Sequence, residues 1–374
     1  MKKLFLVVNV DWFFLSHRKS IALAATNAGY DVTVITNFTG RQNEIEALGV
    51  KVVDLPLTRT SKNPFEALKV FFFLRKMYKK EKPDIVHHVG MKVMLFGTIA
   101  ARFAGVKNVV NAISGTGMLF ASRSLSSRVV LSLLKKFSNK KFKYIFQNFD
   151  DRAAFEKKGI SFPDQAVMIK GSGVNLNDYK YVSETEKDNS VIKIVFTGRM
   201  LESKGVLVLI EAAQILKKQY DGKIQFLLCG AVDENPESLT KNDIEAVCDG
   251  EYVKWLGFQK DIYSVLKTSH IMCFPSFYME GLPKSIIDAE ATGLPVITTD
   301  WIGCRDTVED GYNGYLVPIR DSKAIADRIS VLVDNPKKRC EMGRNARSFA
   351  EKNFSIEEVI RIHLETYASF TERV

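Results

Sequence analysis

The 374-residue chain lacks the features that mark membrane-spanning, disulfide-bonded or zinc-binding proteins. No apolar run approaches the roughly 18 residues needed to cross a bilayer. All five cysteines lie in the second half and none forms a CxxC pair, which argues against a disulfide framework and a structural zinc site and fits a reducing cytoplasm. The start, MKKLFLVVNVDWFF, has a basic end and a short apolar run, but Asp11 and the basic cluster at 17–19 interrupt it. We therefore expect a buried first strand there rather than a signal peptide.

Acidic residues are scarce in the first half of the chain. Residues 1–180 hold 29 Lys and Arg against 13 Asp and Glu, whereas residues 181–374 hold 24 against 30. A net charge of +10 is thus +16 in the first part and −6 in the second. Such a basic half predicts an anionic partner: nucleic acid, a membrane surface or a phosphorylated substrate. Two stretches, 70–82 and 127–143, mix bulky apolar and basic residues, and each is either an anionic-membrane contact or a core helix with a solvated basic end.

Short β-branched runs alternate with helical stretches along the whole chain. This rhythm predicts parallel sheets covered by crossover helices, and the length predicts two domains of about 180 residues. The candidate strands are 4–8, 32–35, 50–54, 85–88, 109–112, 144–147 and 167–169 in the first half, and 192–196, 224–229, 253–256, 271–274 and 295–298 in the second.

The polar segment YKYVSETEKDNS (179–190) is the best candidate for a linker between the domains. We therefore predict one domain over 1–178 and another over 191–355. The final periodic helix, within 356–374, has no strand after it and could pack across both domains.

A carboxylate, a turn and a helix start follow one another at Glu280. Pro283 opens a helix expected over 284–292, and Asp288 on its first turns can face the same side as Glu280. Helix N-termini bind anions through their backbone N–H groups. The candidate donor-binding residues of this turn are Gly281, Leu282, Pro283, Lys284 and Ser285. A turn of this kind taken alone is more often only a helix cap.

A glycine turn with two cations, GRMLESKG (198–205), follows the first strand of the second half. Beside Gly198, the forked guanidinium of Arg199 and the point charge of Lys204 suit a diphosphate. A Walker A loop is absent, so ATP hydrolysis is not expected. No D-x-D tripeptide occurs either, so a diphosphate-binding metal is not implied, and the two cations could neutralise the diphosphate instead.

Polar residues also end several strands of the first half, where open α/β sheets bind their ligands. His17 and Arg18 follow the first strand; the alternative for them is a surface pair that caps a helix. His88 and Lys92 follow another strand, where a histidine can act as a hydrogen-bond donor or base, although an isolated one is more often structural. A third strand end supplies Ser114, Gly115 and Gly117, which lack the third glycine of a dinucleotide fingerprint.

Taken together, these motifs resemble the retaining family 4 glycosyltransferases of the GT-B fold. The matching stretches are GSGVN (171–175), GRMLESKG (198–205), FPSFYMEGLPKSIIDAEATGLPVITTD (274–300), IGCRDTV (302–308) and GYNGYLV (311–317). The family signature has two glutamates separated by seven residues. Here the first is Glu280, Asp288 takes the place of the second, and Glu290 lies two residues further on.

The resemblance implies a fold of two doubly wound Rossmann-like domains that face a cleft, with a C-terminal helix crossing back to the first domain. It implies that Arg199 and Lys204 hold the diphosphate, that Glu280 lies at the donor sugar and reacting centre, and that position 288 reaches the nucleotide ribose. We expect His88 to join Glu280 in catalysis. The acceptor would contact a set of residues in the first domain: His17, Arg18, Lys92, Ser114, Gly115 and Gly117.

Finer features, NPFEALKVFFFLRK (63–76), HHVGMK (87–92) and GAVDENPES (230–238), are similar to bacterial enzymes that extend polyprenyl-diphosphate-linked glycans. That likeness implies a UDP-N-acetylhexosamine donor, with N-acetylgalactosamine favoured, and a lipid-linked saccharide acceptor. It further implies an enzyme on the inner face of the plasma membrane, against an anionic lipid surface, with no cofactor, metal or nucleic acid.

Two other functions remain open from the sequence. A UDP-N-acetylhexosamine epimerase shares the fold and would consume its substrate without a lipid acceptor. A nucleic-acid-binding protein would use the basic half, but the chain has neither an aromatic-plus-basic RNA signature nor a helix-turn-helix, and its second half is acidic.

Overall fold

The computed structural model describes residues 1–57, 64–116, 120, 124–233, 235 and 237–370, with side chains from residue 68 onward in the second range. The chain divides into two compact units, Met1–Ser172 with Ile356–Val374, and Gly173–Ser355. Gly117 of the predicted acceptor set lies outside the described residues.

Seven parallel strands form the sheet of the first unit, in the order β3-β2-β1-β4-β5-β6-β7. Their bounds are β1 (Lys2–Val10), β2 (Tyr30–Asn37), β3 (Lys51–Asp54), β4 (Ile85–Val89), β5 (Val109–Ala112), β6 (Lys143–Phe146) and β7 (Ala166–Met168). All seven confirm predicted strands. Phe5 and Val7 of β1 enter one core, and Leu4, Leu6 and Val8 enter a second core on the opposite face, as the two-residue period requires.

Helices cover both faces of this sheet. One face carries α1 (Asp11–His17), α2 (Lys19–Asn27) and the short α3 (Gln42–Glu46). The other face carries α4 (Pro64–Glu81), α5 (Met91–Ala104), α6 (Leu125–Phe137) and α7 (Phe149–Lys157). The residues between the first strand and Arg18 therefore form a helix over 11–17.

The second unit contains a six-stranded parallel sheet in the order β10-β9-β8-β11-β12-β13. The strands are β8 (Ile192–Thr197), β9 (Ile224–Cys229), β10 (Val253–Gly257), β11 (Ile271–Phe274), β12 (Val296–Thr299) and β13 (Gly314–Val317). Five confirm predictions. The sixth, β13, was not predicted, because a four-residue run that begins with glycine is a weak strand signal.

The helices of the second unit are α8 (Val206–Tyr220), α9 (Lys241–Val247), α10 (Ile262–Leu266), α11 (Lys284–Thr292), α12 (Ser322–Asp334) and α13 (Pro336–Asn353). The last helix, α14 (Ile356–Ala368), returns to the first unit, as predicted. There it packs on α2, and the hydroxyl of Tyr367 lies 2.7 Å from Nδ1 of His87 in β4. In the described part of the chain, none of the helices combines the length and the apolar character needed to cross a membrane.

The segment 179–190, predicted as a linker, belongs to the second unit and is bound to it at several points. Nε of Arg339 donates to Oε1 of Glu184 at 2.5 Å, and Nη2 of Arg339 donates to Asn189 at 3.3 Å. The ring of Tyr181 lies where a Cβ on Gly293 would stand, so that glycine leaves room for it. The division between the units falls earlier, at 172/173, because these buried contacts hold the polar segment to the second core.

Candidate active site

An ion pair between Lys204 and Glu280 lies at the carboxyl edge of the second sheet. Lys204 ends a turn that follows β8, and Glu280 lies in the loop that follows β11, the neighbouring strand. The Lys204 ammonium donates to Oε1 of Glu280, and Lys204 as a residue is only 8% exposed. The same ammonium lies 5.2 Å from the ring centroid of Phe274 and 5.4 Å from that of Tyr278. Two residues that the sequence assigned to one site are therefore in contact.

Two glycines allow the loops of this site to approach one another. Gly205 has φ +78°, and a Cβ there would stand 2.1 Å from the carbonyl oxygen of Pro275. Gly303 also has φ +78°, and its Cβ would stand 2.2 Å from the carbonyl oxygen of Gly281. Because any larger residue would push on these backbones and strain its own, glycine holds Lys204 and Glu280 in position.

Arg199 has a partner that the sequence analysis missed. Its Nη1 donates to Oδ2 of Asp233 at 3.0 Å, and Asp233 follows β9, the strand on the other side of β8. The carboxylate is nearly buried, whereas about a third of the Arg199 side chain is exposed. Asp233 thus orients the guanidinium. The only sequence signal was its place after a strand, within the stretch 230–238.

The helix predicted over 284–292 is confirmed as α11, but the side chains at its start contact protein partners. Pro283 is its N-cap residue, with no side-chain cap, and Ser285 is partly exposed. Lys284 turns along the helix to donate to Oδ1 of Asp288 at 2.6 Å, and its ammonium lies 5.3 Å from the ring centroid of Tyr179. Burial raises the pKa of Asp288, and the attraction of Lys284 offsets part of that shift. The carboxylate expected at the ribose is thus held inside the second unit by protein partners.

Glu290 lies away from these groups, in the core. Its Oε1 accepts a 2.6 Å hydrogen bond from Nδ2 of Asn313, which also donates to the carbonyl oxygen of Thr307. Burial raises the pKa of Glu290 well above its ordinary value, and the Asn313 hydrogen bond offsets only part of that shift. Glu290 therefore ties α11 to the loop before β13, and its burial favours the protonated form of the carboxyl group. Among the described residues, no group of three His, Cys, Asp or Glu side chains is placed to hold a metal ion.

We expect Glu290→Gln to gain stability over the wild type as the pH rises. The folded pKa of Glu290 is raised, so its favourable contribution is complete below the unfolded pKa and is lost as the pH climbs toward the folded pKa. Glutamine keeps the shape and cannot ionise, so the difference in unfolding free energy should grow by about 1.4 kcal/mol per pH unit between the unfolded pKa, roughly 4.5, and the folded pKa. Urea unfolding of both proteins between pH 5 and 8 checks this, and parallel curves would contradict it.

The predicted acceptor residues gather at the carboxyl edge of the first sheet. His17 ends α1 after β1, Lys92 is the second residue of α5 after β4, and Ser114 and Gly115 follow β5; these three strands are neighbours. The His17 ring is partly exposed and stacks on Phe13 with centroids 4.1 Å apart. The structure thus brings four of the six predicted acceptor residues to one edge.

Two buried carboxylates that the sequence analysis did not select hold the loops at this edge. Asp11 accepts from the backbone N–H and the hydroxyl of Thr39, both at 2.6 Å, and these bonds outweigh burial, so its pKa lies below the ordinary value. Asp151 accepts from Oγ1 of Thr116 at 2.8 Å, and burial raises its pKa to about 6. Each carboxylate ties the helix that follows one strand to the loop that follows the neighbouring strand.

Arg18 does not lie at the surface of the predicted acceptor site. Its guanidinium is buried, and Nη1 donates to the carbonyl oxygen of His17. Burial lowers the pKa of Arg18 to about 10, which still leaves it charged at neutral pH. Arg18 lies between α1 and α2, and its side chain points into the core. Its place in the sequence after a strand does not show this direction.

His88 is likewise a core residue, so we remove it from the catalytic set. Its Nε2 is 2.9 Å from the hydroxyl of Tyr78, and its Nδ1 is 2.9 Å from Oδ1 of Asn111. A Cβ on Gly97 would stand 2.4 Å from the ring, so α5 closes over it. Burial lowers the pKa of His88 to about 4, and the neutral ring satisfies both partners.

The chemistry available at the second sheet is that of diphosphate binding beside a carboxylate. Lys204 and Arg199 can balance negative charge on a leaving group, and Glu280 can orient or attack a bound sugar. With two doubly wound units in one chain, this arrangement defines a glycosyltransferase of the GT-B fold.

Comparisons with known proteins agree. The family model "Glycosyl transferase 4-like" matches residues 3–148, and "Glycosyl transferases group 1" matches residues 177–349. The chain belongs to the family 4 glycosyltransferases.

Individual relatives cover most of the chain. An N,N'-diacetylbacillosaminyl-diphospho-undecaprenol α-1,3-N-acetylgalactosaminyltransferase of Campylobacter jejuni is 29% identical over 89% of this chain and 92% of its own. A UDP-Gal:α-D-GlcNAc-diphosphoundecaprenol α-1,3-galactosyltransferase of Escherichia coli is 27% identical over 88% and 87%. In fold, a glycosyltransferase from Rickettsia africae matches all of both chains with a TM-score of 0.76 at 20% identity.

Proposed function

We propose that this protein transfers a sugar, with retention of configuration, from a UDP-sugar to a lipid-linked saccharide during assembly of a bacterial surface polysaccharide or glycoprotein glycan. The contact between Lys204 and Glu280, beside Arg199 at one sheet edge, is the observation that carries this proposal. The names of the two relatives support the choice of substrates, since both act on undecaprenyl-linked saccharides. An N-acetylhexosamine is the proposed sugar, with N-acetylgalactosamine favoured.

In the proposed reaction, the bond between the anomeric carbon and the β-phosphate oxygen breaks while an acceptor hydroxyl oxygen forms the new bond to that carbon. The hydroxyl proton passes to the departing diphosphate oxygen. The electron pair of the broken bond stays on the diphosphate, where Lys204 and Arg199 stabilise the developing charge. Backbone N–H groups near Lys284 and Ser285, at the N-terminus of α11, add the positive end of the helix dipole, which also stabilises the negative charge of the diphosphate. Glu280 lies at the donor sugar, and Asp288 is kept as the candidate ribose contact once it exchanges its protein partners for the nucleotide.

We propose that no metal ion or cofactor takes part, because two cations occupy the place where a metal would neutralise the diphosphate. His17, Lys92, Ser114 and Gly115 are the proposed acceptor contacts, with Gly117 retained from the sequence. An acceptor carried on a polyprenyl chain lies in the membrane, so we place the enzyme on the cytoplasmic face of the plasma membrane. Nucleic acid is not a proposed partner.

A transfer assay tests these choices directly. The protein is supplied with UDP-N-acetylgalactosamine, UDP-N-acetylglucosamine, UDP-galactose or UDP-glucose and a synthetic polyprenyl-diphosphate saccharide, with and without EDTA. We expect an α-linked product by NMR, UDP release that requires the acceptor, the highest rate with UDP-N-acetylgalactosamine, and no loss of rate in EDTA. A new free sugar formed from UDP-N-acetylglucosamine without acceptor would instead identify an epimerase.

A further inference from the structure

Three neighbouring helices of the first unit expose large apolar side chains on one face. Within the described residues α4 packs on α5, and α5 packs on α6. Their outward side chains include five large apolar residues that are 50% to 77% exposed: Leu68, Phe72, Phe103, Leu125 and Val129. We call this set the apolar face. Such a cluster on one surface is uncommon in a protein that contacts only water.

Aromatic rings connect the three helices across this face. Phe71 lies 5.0 Å from Phe72 and 5.9 Å from Phe103, and Phe103 lies 5.8 Å from Phe137, measured between ring centroids. Phe71 and Phe137 are partly buried beneath their exposed neighbours. These ring contacts join the exposed Phe72 and Phe103 to α6 through the partly buried Phe71 and Phe137.

Positive charge predominates on the three helices that carry the apolar face. The sequences of the three helices hold ten Lys and Arg and two Asp and Glu, and neither acidic residue lies on α5 or α6. Lys76 and Lys79 on α4, Arg102 on α5, and Lys135 and Lys136 on α6 are all exposed. Basic side chains around exposed aromatic and aliphatic groups are typical of helices that lie in the headgroup region of an anionic bilayer.

We infer that the apolar face of α4, α5 and α6 docks onto a membrane rich in anionic phospholipid. Two other occupants fit less well. A symmetric dimer through this face would set the same basic surface against itself, and like charges would repel. Nucleic acid would match the charge, but Leu68, Leu125 and Val129 offer no aromatic surface on which a base can stack. This inference rests on the proposed function and deepens it, because it names the lipid surface at which the membrane-borne acceptor is met.

Vesicle sedimentation of the full chain tests the inference. The vesicles are pure phosphatidylcholine or contain about one third phosphatidylglycerol. On the anionic vesicles, each basic residue near the surface should strengthen binding about fivefold. We expect binding to the anionic vesicles that weakens with salt and little binding to phosphatidylcholine. Lys135→Glu/Lys136→Glu should weaken it by about thirtyfold or more. Phe72→Ser/Phe103→Ser should weaken it by about tenfold.

Matched controls change equally exposed residues of the second unit. Lys218→Glu/Lys223→Glu makes the same change in charge, and Ile215→Ser/Phe258→Ser makes a similar loss of exposed apolar surface; both should leave vesicle binding unchanged. The shift in melting temperature that UDP causes is measured on every variant and should also stay unchanged.

If vesicle binding is absent or falls equally in the controls while the UDP shift persists, docking is wrong and the proposed function stands. If vesicles bind but UDP has no effect, the proposed function fails instead. Competition by an oligonucleotide that abolishes the preference for anionic vesicles would identify a nucleic-acid surface.

Discussion

Lys204→Met is expected to lower the rate of sugar transfer by about two to three orders of magnitude, as the loss of one preorganised donor to a developing negative charge does in other enzymes. Lys204 is already held in place by Glu280 and by the rings of Phe274 and Tyr278, so it needs no rearrangement to meet a leaving diphosphate. Methionine keeps the apolar length of the side chain and removes only the charge. Initial rates at saturating UDP-sugar and acceptor give the measurement.

A purely structural role for this lysine makes a different prediction. Lys204→Met leaves the Glu280 carboxylate nearly buried without its cation, so some stability is lost in either case. The double variant Lys204→Met/Glu280→Gln removes both charges and should regain much of that stability. If the double variant also regained the transfer rate, the ion pair would serve the fold and not the reaction.

Arg339→Met is expected to lower the free energy of unfolding by about 3–5 kcal/mol. The change removes the donor from the nearly buried carboxylate of Glu184 and from several carbonyl groups. Arg339 is 2% exposed. Its Nη1 donates to two carbonyl oxygens in the last turn of α12, those of Leu332 at 2.7 Å and Val333 at 3.3 Å. Its Nε and Nη2 donate to Glu184 and Asn189. One side chain thus joins α12, α13 and the polar segment 179–190.

The matched control for this change lies five residues further along the same helix. Arg344 is exposed, and Arg344→Met should change the unfolding free energy by about 0.5 kcal/mol or less. Chemical denaturation of the two variants gives the comparison. Equal losses would show that the buried network around Arg339 does not stabilise the segment 179–190.

The polar segment also shows where sequence reasoning reaches its limit. Its composition, with one apolar residue among charged, hydroxyl and amide side chains, is that of a linker. Composition does not reveal a partner such as Arg339, which lies 150 residues away from Asn189 along the chain. The strands were easier to predict. All strands of the two sheets except β13 can be recognised in the sequence as apolar, often β-branched runs, because parallel strands are buried on both faces.

Some features of the candidate site could also be predicted from the sequence, and others could not. Glu280, Lys204 and Arg199 follow strand ends, and the carboxyl ends of parallel strands meet at one edge, so their gathering could be predicted. Strand-end position does not tell which way a side chain points, however. His87 and His88 are adjacent and enter opposite cores, and only the packing of Gly97 and Tyr78 shows that His88 faces inward. Asp233 and Asp151 were missed because their roles depend on neighbours that other loops supply.

The donor site of the second unit is the central claim, and thermal unfolding with nucleotides tests it most directly. Wild type and Lys204→Met are each melted with UDP, ADP, GDP, NAD or an oligonucleotide. UDP at a hundred times its dissociation constant should stabilise the wild type by about 2.7 kcal/mol, and the variant should lose most of that gain. The account is contradicted if UDP leaves the wild type unchanged while NAD or the oligonucleotide stabilises it.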